Sequence, residues 1–183
     1  MHQQFVQSLP ARILSFLAIS LLAMFVVIGM RSAVSGSEEG ADQTIGWVEN
    51  ARMVGVEPTL KSKIDTGATT TSINAEVLAA PNDDVESGGV VKFHFVDSEG
   101  NKTLFERPLE RWVKIKDEDR RPVVQMRFCI AGKWMEGEVS LAERDNFNYA
   151  VLIGRNLLKK SKQAVDSSQT FTAQPNCESE AQS

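Results

Sequence analysis

Between Val124 and Leu141 the chain alternates apolar and polar side chains on both sides of a single glycine turn. Val124, Met126, Phe128 and Ile130 fall on one face before Gly132-Lys133, and Met135, Val139 and Leu141 fall on one face after it. A period of two fits a strand and not a helix, so this stretch predicts a β-hairpin with charged side chains on its wet face. The same pattern recurs upstream. Residues 46–54 and 60–65 predict a first pair of strands, and Val91, Phe93 and Phe95 share a face of a run over 90–96. Ser98-Glu99-Gly100-Asn101 supplies a turn, and residues 103–116 return as an extended arm interrupted by Pro108. The domain is expected to be all-β.

A few segments depart from that pattern. Residues 71–73 predict a short strand and 74–80 a brief helix before the Pro81-Asn82-Asp83-Asp84 break. Residues 149–153 form a short apolar strand that enters a final helix through Gly154. From Asp166 to Ser183 the chain is rich in Ser, Gln, Thr and Glu and is expected to be a disordered tail. With 42% hydrophobic and 24% charged residues, the remainder, residues 45–165, suits one globular domain.

The N-terminus has a different character. After a stub of residues 1–12, residues 13–30 carry no charge, and at ~1.5 Å per residue they approach the ~30 Å of a bilayer core. They are expected to be a transmembrane anchor or a signal peptide, with Ala33-Val34-Ser35 as a cleavage site in the second case. Residues 31–44 read as a linker. Either outcome exports the domain, which is then periplasmic, tethered to the inner membrane or released from it. A net charge of -4 with scattered basic residues gives no basis for nucleic-acid binding. Cys129 and Cys177 are able to pair in an oxidising compartment, at the cost of clamping the tail. His2, His94 and the two cysteines lack the spacing of a zinc site, and no metal or other cofactor is expected.

Chemistry concentrates in Asp65-Thr66-Gly67-Ala68, which follows Lys63-Ile64 and precedes Thr69-Thr70-Thr71. On a tight turn, the hydroxyl of Thr66 and the missing side chain of Gly67 hold a carboxyl group where a reacting group can approach it closely. A plain Asx-type turn uses the same residues. A second motif ends the domain: Ile153-Gly154-Arg155-Asn156, followed by Leu157-Leu158.

The two motifs, in this order, resemble the retropepsins, and more narrowly a bacterial retropepsin-like aspartic protease family often catalogued as ATP-dependent zinc proteases. The resemblance spans about residues 45–160. It implies a single-domain acid-protease β-barrel with one or two short helices. It also implies Asp65 as the catalytic acid, with Thr66, Gly67 and Ala68 as the active-site loop and Ile153, Gly154, Arg155 and Asn156 as its support. Because the chain has one such Asp, the implied active unit is a homodimer whose two Asp65 carboxyls share a proton and activate water against a peptide or protein substrate. Neither a phosphate loop nor a zinc set accompanies the motifs, so both words of the catalogue name are set aside.

The chain departs from the retroviral pattern in three respects. Thr69 stands where retroviral enzymes carry the acid that braces the late Arg, so Arg155 needs another partner. The spacing from Asp65 to Gly154 is longer. The candidate flap, residues 113–123, contains no glycine. The flap and the displaced Arg partner motivate an alternative reading, a catalytically silent module that binds a peptide or a cell-envelope component. A metal-dependent hydrolase is a third class.

Overall fold

In a computed structural model, residues 43–82, 84–114, 120–143 and 148–177 are described. The chain divides into two units, residues 1–39 and 40–183, and the described residues belong to the second. The expected membrane or signal segment, residues 13–30, lies outside the described residues, as do the flap tip at 115–119 and the last residues of the tail. No helix among the described residues is long and apolar enough to cross a membrane.

Ten strands and one short helix make up the described residues. In chain order they are β1 (Gln43–Met53), β2 (Leu60–Ile64), β3 (Thr71–Ala79), β4 (Val90–Val96), β5 (Lys102–Pro108), β6 (Arg111–Lys114), β7 (Arg120–Ile130), β8 (Lys133–Ala142), β9 (Val151–Ile153), α1 (Arg155–Ser161) and β10 (Gln163–Thr170). Strands β1, β2, β9, β3, β8 and β7 neighbour one another in that order. Antiparallel pairing of Ala51, Arg52 and Met53 in β1 with Ile130, Cys129 and Phe128 in β7 then closes the ring. Closure removes the free edges that an open sheet exposes. The expected β-barrel is what forms.

Alternation sets which side chains fill the ring. Phe93, Phe95, Phe128, Ile130, Ile73 and Ile153 are among its fully buried members, and burying each such side chain stabilises the fold by about 1.5–3 kcal/mol. The β7–β8 hairpin turns on Ala131 and Gly132, both at positive φ, which matches a two-residue turn that continues the twist of its strands. β4 and β5 pair over their full length around the predicted turn.

Two expectations fail. Of residues 74–80, read as a helix, 74–79 belong to β3. The run Asn-Ala-Glu-Val-Leu-Ala favours a helix locally, but Asn74 is paired with Ala142 of β8, and Ala75, Glu76, Val77 and Ala79 pair with β4. Tertiary pairing outweighs a helix preference of a few tenths of a kcal/mol per residue.

The tail reading fails from Asp166 to Cys177. β10 runs parallel to β1 from Gln43↔Gln163 to Gly46↔Asp166, and after a shift in register Val48 pairs with Thr170. Three contacts fix this polar strap. A disulfide joins Cys177 to Cys129 in β7. Glu49, wholly buried, accepts hydrogen bonds through Oε1 from the Gly46 N–H (2.7 Å), the Thr172 N–H (2.9 Å) and the Thr172 hydroxyl, and through Oε2 from the Ala173 N–H (3.2 Å). At Gly46 a Cβ would meet the backbone of Gln169 and Thr170 at 2.6–2.8 Å, so only glycine lets the strap lie this close. The strap also covers Cys129, which lies on the charged register of β7 and is 0% exposed. Composition alone gives no sign of a strap whose anchors are one thiol, one carboxyl and one glycine.

Candidate active site

β2 ends at Ile64 in the middle of the ring, paired in parallel with Ile153 of β9. The Asp65 N–H continues that ladder by donating to the Ile153 carbonyl at 2.8 Å, so Asp65 is fixed in place by its backbone before its side chain makes any contact. The chain then turns. The Ala68 N–H donates to the Asp65 carbonyl at 3.2 Å, and the Gly67 and Ala68 N–H groups donate to Asp65 Oδ1 at 2.9 and 3.2 Å. One carboxyl oxygen is therefore held from inside the loop.

The other oxygen, Oδ2, lies 3.3 Å from the Lys63 ammonium. The Asp65 side chain remains 24% exposed, and Thr66 and Gly67 are exposed beside it. Partial burial pulls the Asp65 pKa upward. The hydrogen bond from Lys63, the Gly67 amide, the Lys63 charge and the Ala68 amide together outweigh that pull and hold the group below its ordinary value of 3.8.

The late motif lies directly behind this turn. Gly154 sits between β9 and α1, where a Cβ would come within 2.7–2.9 Å of the backbone of Thr70 and Thr71. The Gly154 N–H donates to Thr71 Oγ1 at 3.0 Å. The Arg155 and Asn156 N–H groups donate to the Ala68 and Thr69 carbonyls at 2.9 and 3.2 Å. Arg155 Nη1 donates to the carbonyls of Thr66 (2.8 Å) and Gly67 (3.0 Å), and Nη2 to Thr69 Oγ1 (3.0 Å). Here is the partner that replaces the missing acid: two carbonyls at the tip of the turn and a hydroxyl. Asn156 joins three elements. Its Oδ1 accepts from the N–H and hydroxyl of Thr71, both at 2.9 Å, while Nδ2 donates to the Glu138 carbonyl of β8 at 2.7 Å.

Asp65, Thr66, Gly67, Ala68, Ile153, Gly154, Arg155 and Asn156 thus meet in one place, although about half the chain separates the two motifs. Sequence reasoning gave no role to Lys63. The period of two in β2 was a usable signal for it, since Lys61, Lys63 and Asp65 fall on alternate positions. Thr69, expected to leave Arg155 in need of another partner, does meet it through its hydroxyl from the position of the retroviral acid. The flap's arms, β6 and the start of β7, pair from Arg111↔Val123 to Lys114↔Arg120. Among the described residues, no three His, Cys, Asp or Glu side chains gather as a metal site.

Comparison with known proteins finds a family and solved structures that this chain resembles. The family model described as "RimB-like: Retropepsin-like aspartic endopeptidase RimB" matches residues 44–176, a span that includes the strap. Among solved structures, a Legionella pneumophila protein described as of unknown function (DUF785) is 29% identical, with a TM-score of 0.63. The alignment covers 73% of this chain and 99% of that one. No match was found among curated proteins.

Proposed function

The chain belongs to the RimB-like family of retropepsin-like aspartic endopeptidases, and from that premise we propose that it hydrolyses peptide bonds with an Asp dyad assembled from two copies. One observation carries the reading. The Asp65 carboxyl has one oxygen fixed by two backbone amides and the other beside the Lys63 ammonium at 3.3 Å, while the side chain stays 24% exposed. A group held this way is orientated for proton transfer without being enclosed, which is what a two-fold partner bringing a second Asp65 requires.

In such a pair the two carboxyls share one proton and titrate as a unit. The ionised member takes a proton from a water as that water attacks the peptide carbonyl. The protonated member gives its proton to the developing oxyanion and later assists the leaving amine. Thr66, exposed at the tip, would hydrogen-bond across the axis. Gly67 would offer backbone groups to the substrate, and Ala68 would keep the floor of the site small. Arg155 and Asn156 would hold the loop without touching the substrate.

A second reading is a peptide- or envelope-binding module without catalysis. The Lys63 ion pair favours it, because an ammonium beside a carboxyl opposes the protonated form. The disulfide and the uncharged run at 13–30 support a periplasmic domain, membrane-anchored or released. The test incubates the full-length protein and its Asp65→Asn variant with a diverse peptide pool from acidic to neutral pH, with solution size measured alongside. Cleavage by the wild type alone, from a dimer, is the expected result. Equal cleavage by the variant, or a strictly monomeric active protein, sinks the dyad.

A further inference from the structure

Lys61 and Lys63 on β2 and Asp65 directly after its end fall on alternate positions of one extended run. The first is engaged with aromatic rings, its ammonium 5.4 Å from the centre of Tyr149 and 5.7 Å from that of Phe171. Lys63 is the one that reaches the carboxyl. Its Nζ lies 3.3 Å from Oδ2, the oxygen the loop amides leave alone, and its side chain is 40% exposed while it does so. The two ends of the carboxyl are therefore gripped by different means, Oδ1 by backbone amides and Oδ2 by a side-chain cation. Rotation about the Cβ–Cγ bond displaces both oxygens at once, so the amides on Oδ1 and the ammonium beside Oδ2 oppose it from opposite ends. Both together fix the plane of the carboxyl.

We propose that Lys63 is a positioning residue for the Asp65 dyad: its ammonium fixes the outward oxygen, and one Lys63 from each copy supplies the positive charge that lets two carboxyls face each other. This rests on the endopeptidase reading above. Two carboxyls a few ångströms apart repel unless protonated, and a cation beside each offsets part of that repulsion. The neighbouring elements supply few competing charges. Arg155 from α1 directs its guanidinium at the Thr66 and Gly67 carbonyls and Thr69 Oγ1. β9 presents the apolar Ile153, and the start of β3 presents Thr71, whose hydroxyl is bonded to Gly154 and Asn156. Lys61, on the same face of β2, is drawn to Tyr149 and Phe171. Lys63 is in contact with the carboxyl itself.

Removing its charge raises the pH at which the dyad gains and loses its shared proton. Lys63→Met keeps the aliphatic stem, and Lys63→Arg keeps the charge. In the full-length protein with 13C-labelled aspartate, assigned through Asp65→Asn, the Asp65 carboxyl of Lys63→Met is expected to titrate ~0.5–1 pH unit higher, less than for a fully buried pair because Lys63 is partly in solvent. Both limbs of kcat/KM against pH should move up by the same amount, and Lys63→Arg should return them toward the wild-type positions. A Lys63→Met titration that coincides with the wild type overturns the proposal, as does a profile that only loses height. Failure of the dyad reading shows separately: if wild type and Asp65→Asn cleave equally or not at all, the endopeptidase reading falls, and the carboxyl titration alone then decides whether Lys63 holds Asp65.

Discussion

Glu49 and Asp65 both receive backbone amides, and they differ in what remains once those amides are in place. Glu49 is entirely buried, both of its oxygens are occupied by donors from Gly46, Thr172 and Ala173, and nothing can approach it. Asp65 has one oxygen held by Gly67 and Ala68, while the other meets only a half-exposed lysine at the mouth of a turn. The first arrangement spends a carboxyl on holding a strand to a barrel. The second leaves a carboxyl available for chemistry. Backbone donors alone therefore do not identify a functional acid. The access left to its second oxygen does.

That contrast is easiest to break by exchanging the effects of the two groups. Asp65→Asn should lower peptide cleavage by about 10^3-fold or more while leaving the thermal midpoint within a few degrees of the wild type. A midpoint that collapses would make Asp65 structural like Glu49. Glu49→Ala should do the reverse. It leaves three N–H donors, one buried and two part-buried, and a hydroxyl without their acceptor and is expected to cost about 2–3 kcal/mol of stability in urea unfolding, with cleavage per folded molecule unchanged.

Smaller effects sharpen the boundary between the two regions. Cys177→Ser unties one end of the strap that Glu49 holds at the other, and should cost about 2–3 kcal/mol, toward the lower part of the usual range for a disulfide because the Glu49 contacts persist. Non-reducing and reducing unfolding curves of the wild type provide the same comparison without a mutation. Arg155→Met removes donors from the Thr66 and Gly67 carbonyls and is expected to cost about 1 kcal/mol, with cleavage reduced about tenfold by a loosened loop. Amide exchange at Gly67 and Ala68 reads that loosening directly.

The smallest effect is in pH. Asp65 is held below its ordinary 3.8 in the folded chain, so its contribution to stability is present above that value and is lost as pH falls through the lower folded one. At a partly exposed site the contribution is well under 1 kcal/mol. The stability difference between wild type and Asp65→Asn should therefore be slight at neutral pH and vanish in strong acid.

Much of the barrel was legible because strands with one buried face have to alternate. Val91, Phe93 and Phe95, or Val124, Met126, Phe128 and Ile130, have no other economical arrangement. Residues 74–79 and 163–170 were not legible. In the first, good helix formers are recruited into β3 mainly by pairing with β4. In the second, a polar stretch with little apolar surface is held by Cys129, Glu49 and the room beside Gly46, each of them distant in sequence. The site divides in the same way. The two motifs could be read, and the alternation of β2 put Lys63 on the side of Asp65, but the bonds from Arg155 to the Thr66 and Gly67 carbonyls could not be read.

The sequence by itself determined the alternating strands, the turn that bears Asp65 and the need for glycine beside it, because these follow from local sterics and from which faces must leave water. Tertiary structure alone decided that Ile153-Gly154-Arg155-Asn156 would stand behind that turn, and that Glu49 would anchor a strap while Asp65 stayed accessible. Those outcomes depend on which distant backbone donors and charges arrive within about 3 Å of a group, and no local pattern along the chain encodes that distance.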